Sequence, residues 1–282
     1  MSTDVHAIGY MQGRLSALVD GKIQAFPWRE WQQEFPQAQA LGLGLMEWTL
    51  DHARLEENPL MTGTGRREIA ALSARHGVNV GSVTGDIFMQ APFWRVDGEV
   101  RAHRLREFDA VLDACTAAGI RYVVVPLVDN GAMTTPEEET LVVQELLSRA
   151  PRLRRDGLAV VFECDYRPAD LARFISRLPA DVLGINYDIG NSAALDYDPA
   201  EEVGAYGARI MNVHIKDRLK GGTTVPLGTG NADLPRALRL IVRGGYRGRF
   251  ILQTARSQDD RHAEVLARYL ELTRTWIRQA AA

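Results

Sequence analysis

The sequence predicts an α/β protein, a (β/α)8 barrel of the TIM type, in one domain spanning residues 1–282. Three observations carry this expectation. Short apolar runs rich in β-branched residues alternate with amphipathic segments about eight times along the chain, the pattern of parallel strands covered by helices. No glycine fingerprint of a dinucleotide fold follows the first run, which argues against an open doubly wound sheet. Most of the apolar runs end in a polar or ionisable residue, and a barrel keeps its chemistry at the C-terminal ends of its strands.

The elements follow in order. VHAIGYM is the first strand, and WREWQQEFPQAQALG reads as a helix kinked or broken at Pro36. LGLMEWTL is the second strand, and GRREIAALSARHG is a helix closed by Gly77, since glycine accepts the left-handed backbone that ends helices. VNVGSVTGD is the third strand. EVRAHRLREFDAVLDACTAAG is a long helix, also ending in glycine. IRYVVVPLV is an almost wholly apolar fourth strand. PEEETLVVQELLSRAPRLRRDG opens with Pro136 and three glutamates, and proline and acids suit the first turn of a helix. The second half repeats the pattern: LAVVFE then PADLARFISRL, VLGINYD then PAEEVGAYG, RIMNVHIKD then ADLPRALRLIVRGG, and RFILQT then DDRHAEVLARYLELTRTWIRQ.

Composition narrows the function. The chain is 46% hydrophobic and 24% charged with a net charge of −3, ordinary for a globular protein. Nothing global attracts nucleic acid or an anionic membrane. No basic stretch followed by an apolar run opens the chain, and no apolar run nears the roughly 20 residues of a membrane span. Cys115 and Cys164 sit apart in apolar segments and read as reduced and buried, so a cytoplasmic location is expected.

Reading off the strand ends gives the candidate site. Strand one offers Gln12 and Arg14, strand two Glu47, and strand three Asp86. Strand five ends in Glu163 and strand six in Asp188. Strand seven carries His214 with Lys216, Asp217 and Arg218 beyond it, and strand eight Gln253 and Arg256. Glu163, Asp188, His214 and Gln253 stand on four successive strands, and neighbouring strands are only about 4.8 Å apart. Two carboxylates and an imidazole suit a divalent cation such as Mn2+, Mg2+, Co2+ or Zn2+, with Gln253 adding a neutral oxygen. Each residue also has a plainer use. Asp188 caps the turn before Ile189, His214 is a core histidine, Glu47 is a structural carboxylate on backbone amides, and Lys216 with Asp217 is a surface ion pair worth little. The glycines of GGTTVPLGTGNADLP, with Arg218 or Arg256, would cradle a phosphate. The plainer alternative is a flexible loop with Asp233 or Asn231 as helix cap. Trp28, Trp31, Trp48 and Trp94 read as packing or a subunit contact, which leaves a homo-oligomer open.

At VVFECDY, YDIGNSAALDYDP, NVHIKD and VPLGTGNADL the chain resembles the xylose isomerase-like TIM-barrel superfamily. Within it, the chain is similar to the 3-epimerases of L-ribulose 5-phosphate and L-xylulose 5-phosphate, most strongly over residues 158–254. The resemblance implies a divalent metal held by Glu163, Asp188, His214 and a fourth ligand on strand eight, and a keto-sugar or sugar phosphate as substrate. It further implies a cis-enediolate reached by proton removal next to the carbonyl. In the family's epimerases strands five and eight each supply a glutamate, one to remove the proton and one to return it from the far side. Here strand eight supplies Gln253, whose amide takes no proton. That leaves one-base isomerisation through Glu163, epimerisation with Asp86, Glu47 or Lys216 as the second group, a dehydratase or lyase step, or a member that binds a polyol or keto-sugar without turnover. The nuclease branch is disfavoured, because Asn191 stands where that branch has a histidine.

Overall fold

The computed structural model describes residues 6–281. Eight parallel strands close into a barrel in simple sequential order: β1 (Ile8–Met11), β2 (Leu45–Thr49), β3 (Asn79–Thr84), β4 (Tyr122–Leu127), β5 (Ala159–Cys164), β6 (Leu183–Asp188), β7 (Ile210–Ile215) and β8 (Arg249–Leu252). The expected barrel is therefore the observed one. The first strand pairs with the last, Gly9 standing beside Ile251. Each strand is apolar on both faces for most of its length. Val123, Val160, Val161, Phe162, Val213 and Phe250 are fully buried, and burying a side chain of this size contributes roughly 1.5–3 kcal/mol.

The helices are α1 (Glu34–Ala40), α2 (Gly63–His76), α3 (Asp86–Gln90), α4 (Gly98–Ala118), α5 (Pro136–Asp156), α6 (Pro168–Ser176), α7 (Ile189–Ala194), α8 (Pro199–Tyr206), α9 (Leu234–Arg243) and α10 (His262–Ala281). Their ends follow local chemistry. The Thr62, Thr135 and Asp233 side chains accept from the amides of Gly65, Glu138 and Arg236. These bonds satisfy amides that a helix start leaves without partners. α2, α4 and α5 stop at Gly77, Gly119 and Gly157, each with positive φ.

The helix expected from Trp28 is shorter than its pattern. It begins at Glu34, and Pro36 falls in its first turn, where its missing N–H costs nothing, so there is neither kink nor break. Two short helices, α3 and α7, were not anticipated. Each starts at or one residue after a site candidate, Asp86 opening α3 and Asp188 capping α7. Cys115 is a buried free thiol as expected, whereas Cys164 is only half-buried. Trp31, Trp48 and Trp94 are buried packing residues, Trp48 donating to Asn58 at 2.9 Å.

The floor of the barrel is closed by Arg249, the first residue of β8. Its guanidinium lies 4.7 Å from the ring centre of Tyr122, the first residue of β4 across the barrel. A side chain at position 81 would close that path, since a Cβ on Gly81 would meet Arg249 Nη1 at 2.2 Å. The opposite, C-terminal end holds the candidate site.

Candidate metal centre and active site

Strand register sets the first pair of candidate ligands. Asp188 stands directly beside His214 across the β6–β7 ladder. Glu163 ends the inward-facing run of β5. Among the described residues these three form the one cluster of His, Cys, Asp or Glu whose atoms all approach within 4.8 Å of one another. His214 Nδ1 lies 3.3 Å from Glu163 Oε2 and 3.7 Å from Asp188 Oδ2.

Beneath this trio lies a layer of polar side chains that orients it. His214 Nε2 is 2.8 Å from Glu47 Oε1. The Glu47 carboxylate also accepts from Ser82 Oγ at 2.7 Å and Asn212 Nδ2 at 3.1 Å. Asn186 accepts from Asn212 and donates to Glu163 Oε2 at 3.1 Å. Glu47 is wholly buried. It is therefore bonded to side chains and not to backbone amides, and it sits below the site with no surface open to a ligand. Ser82, Asn186 and Asn212 were missed from sequence. The signal was present: Asn186 and Asp188, like Asn212 and His214, are two apart on one strand and so share its inward face.

The electrostatics follow from this packing. Burial alone would push His214 down, but Glu47, Asp188 and Glu163 outweigh it and raise the imidazole well above its ordinary range. Burial pushes Asp188 up, yet Lys216, His214 and the Asn191 amide hold it down to about 2. Burial opposes ionisation of Glu47 as well, and His214, Ser82 and Asn212 keep it low. The donor set fits a divalent cation. The two carboxylates facing His214 favour positive charge between them, which the imidazole supplies when protonated and a cation would supply in its place. Nε2 donates its N–H to Glu47, while Nδ1 faces Glu163, Asp188 and the Asn186 amide, so a cation that displaced the Nδ1 proton would meet an imidazole already oriented by a carboxylate.

Asp188 fills its plainer reading as a cap and is paired at its other oxygen. Oδ1 accepts the Asn191 amide at 2.8 Å and caps α7, while Oδ2 accepts Lys216 Nζ at 3.2 Å. Lys216 also donates to Gln253 Oε1 at 3.3 Å. The expected surface ion pair of Lys216 and Asp217 is thus corrected: Lys216 belongs to the site, and Asp217 is fully buried on the other side of the chain. The Lys216 stem needs Gly190 of α7, because a Cβ there would meet its Cβ and backbone carbon at 2.9 Å. Asn191 donates to Glu163 Oε1 and accepts from Arg218 Nη1 at 2.8 Å, so Arg218 reaches Glu163 only through that amide.

The glycine loop is already filled. Asp217 accepts the amides of Gly228 at 2.8 Å, Gly230 at 2.9 Å and Ala232 at 3.0 Å. The anion its backbone cradles is the chain's own carboxylate, while Asp233 caps α9. On the far side of the mouth, Asp86 accepts from Thr84 Oγ1 at 3.2 Å. Burial, with Asp51 and Glu163 adding repulsion, raises Asp86 to about 7. Gln12 is fully buried, its Oε1 on the Thr49 amide at 3.0 Å and its Nε2 without a partner. Arg14 and Arg256 lie on the loops after β1 and β8, each donating to a carbonyl of the other's loop.

The barrel and this cluster define the class. The sequence model of the xylose isomerase-like TIM barrel family matches residues 35–277, and the chain belongs to that family. Among its relatives, L-ribulose-5-phosphate 3-epimerase UlaE of Escherichia coli is 25% identical over 273 residues, covering 89% of this chain and 90% of its own. A structure of L-ribulose 3-epimerase superposes with TM-score 0.72 at 16% identity, covering 98% of this chain and 96% of that one. A structure of IOLI protein with a bound zinc atom superposes with TM-score 0.76 at 15% identity, covering 97% and 99%. No helix among the described residues is long and apolar enough to cross a membrane.

Proposed function

We propose that this chain is a divalent-metal-dependent isomerase or epimerase of a keto-sugar or keto-sugar phosphate. The observation that carries this reading is the convergence of Glu163, Asp188 and His214 at the mouth of the barrel, backed by Glu47. The related sugar epimerases and the zinc-bearing neighbour support it. Glu163, Asp188 and His214 would hold the cation, which would supply Lewis-acid polarisation of the sugar's carbonyl and adjacent hydroxyl oxygens.

Glu163 removes the proton from the carbon beside the carbonyl, leaving an enediolate. Its two oxygens are held by Asn186 and Asn191, which fixes the direction in which the carboxylate reaches. Gln253 carries no proton to return. Its Oε1 is engaged by Lys216, so the amide presents its Nε2–H donors to a substrate oxygen. Of the candidates for the second proton-transfer group, Glu47 is sealed beneath His214 and Lys216 is tied to Asp188. Asp86 is the group we assign, a carboxyl near neutrality at the mouth. The test is incubation with ketoses and ketose phosphates in deuterated water with Mn2+. The wild type incorporates deuterium at the carbon beside the carbonyl, and Glu163→Gln incorporates none. Exchange that survives in Glu163→Gln removes Glu163 as the base. Loss of water or cleavage of a C–C bond would move the protein to lyase chemistry.

A further inference from the structure

Arg14 and Arg256 lace the barrel's closing seam from both sides. Arg14, on the loop after β1, donates from Nε to the Thr254 carbonyl at 2.9 Å, on the loop after β8. Arg256, on that second loop, donates from Nη2 to the Ser16 carbonyl on the first. Arg14 is only 5% exposed, and its Nη1 is spent on Gln24 Oε1 at 2.9 Å and the Ile23 carbonyl at 3.2 Å. Every one of these acceptors is neutral. Among the described residues neither guanidinium makes an ion pair, and Arg256 Nε is buried without a partner. The nearby Glu34 carboxylate is itself engaged by the Gly13 and Leu15 amides and by Ser16 Oγ at 2.6 Å.

Glu34 acts on both guanidinium groups through space without touching either, and two adjacent, largely buried cations without a direct ion pair are costly. Their mutual repulsion is felt: burial first, then Arg256, lowers Arg14 to about 9. Asp86 and Asp188 also act on Arg14, which places it at the same mouth as the metal cluster. Gly13, beside Arg14, has φ +90°, a backbone that favours glycine, and its Cα side lies within ordinary contact of Arg256 Nη1. The glycine loop offers no competing cradle, since Asp217 fills it.

We infer that Arg14 and Arg256 form the subsite for a phosphoryl group on the substrate, at the end remote from the reacting carbons. This rests on the keto-sugar reading above and narrows it to phosphorylated ketoses. Among the described residues Arg14 keeps Nη2 and Arg256 keeps Nη1 without a protein acceptor, and charged N–H donors of this kind bond phosphate oxygens strongly. Their bonds to each other's loops hold both in place before the ligand arrives.

The test is calorimetric titration of inorganic phosphate into EDTA-stripped protein at constant ionic strength, so that no cation at the cluster captures the anion. The wild type binds one phosphate saturably, and acetate at equal concentration does not displace it. Arg256→Gln weakens phosphate at least about tenfold, the loss of one charge-assisted contact, while Arg256→Lys retains part of it. Arg14→Gln does the same if its circular dichroism is native. Should it fail to fold, the more exposed Arg256 decides alone. Equal phosphate affinity in a natively folded Arg256→Gln, or phosphate binding no better than acetate in the wild type, overturns the subsite. Failure of the catalytic reading is seen separately, as absence of deuterium exchange on every ketose. Exchange that is equally efficient on phosphorylated and unphosphorylated ketoses would keep the activity and discard the subsite.

Discussion

Single side chains decide whether this cluster works. Glu47 has no contact with a ligand, yet it fixes which imidazole nitrogen of His214 faces the carboxylates. Glu47→Gln keeps the shape and loses the charge that polarises the ring. Metal affinity should fall about 10- to 100-fold, read as a smaller rise in melting temperature at fixed Mn2+. An unchanged rise would mean that Glu47 serves packing alone. Asp86 makes the complementary prediction. Its carboxyl sits at about 7 in the fold against 3.8 when unperturbed, so between about pH 4 and 7 the native state holds a proton that the unfolded chain has lost. Stability from this group is present below pH 4 and is lost as pH rises towards 7. Asp86→Asn, always neutral, should therefore be the more stable protein at pH 8, by on the order of 3 kcal/mol. The gain should vanish near pH 4. Urea denaturation at both pH values checks it, and a gain independent of pH would refute the assignment. Glu163, Asp188 and His214 were legible because each closes an apolar strand. Asn186 and Asn212 share the inward register of Asp188 and His214, but like Ser82 they were passed over, because neutral amides and hydroxyls inside a strand look like tolerated polar residues until a carboxylate is found beside them.

At the level of elements, β7 and the loop after it show how little a motif says about direction. Lys216 and Asp217 are neighbours in sequence, and side chains on an extended backbone alternate sides. One turns into the mouth, and the other turns outward to organise Gly228, Gly230 and Ala232. Three amides donating to one buried carboxylate make Asp217 the loop's nucleus. In Asp217→Asn the charge is gone and the new NH2 faces donors, so a loss of about 2–4 kcal/mol is expected. Chemical denaturation measures the loss, and amide exchange at Gly228 and Gly230 should quicken with it. Slow exchange retained in the variant would show that the loop holds itself. The glycines were visible in the sequence, but the carboxylate that occupies them was not, since nothing local distinguishes a cradle for a ligand from one already filled. The short helices α3 and α7 escaped for a related reason: five or six residues carry too little periodicity to read, and tertiary caps such as Asp188 define them.

The molecule as a whole was the most legible level, because eight alternations of apolar strand and amphipathic helix admit few closed arrangements. Closure joins the two extremes of the chain: β1 pairs with β8, His6 reaches the Gly248 carbonyl, and Arg14 and Arg256 tie the loops above. This has a consequence for synthesis on the ribosome. The first strand emerges early and stays an unpaired edge until the last has left the exit tunnel, a sequence separation of more than two hundred residues that slows closure. Such an edge is a template for pairing with other chains. A chain stopped at Gly248 should accumulate as aggregates, and adding a separate peptide of residues 249–282 during translation should return part of it to the supernatant. If the shortened chain is as well behaved as the complete one, the ring does not wait for its final strand.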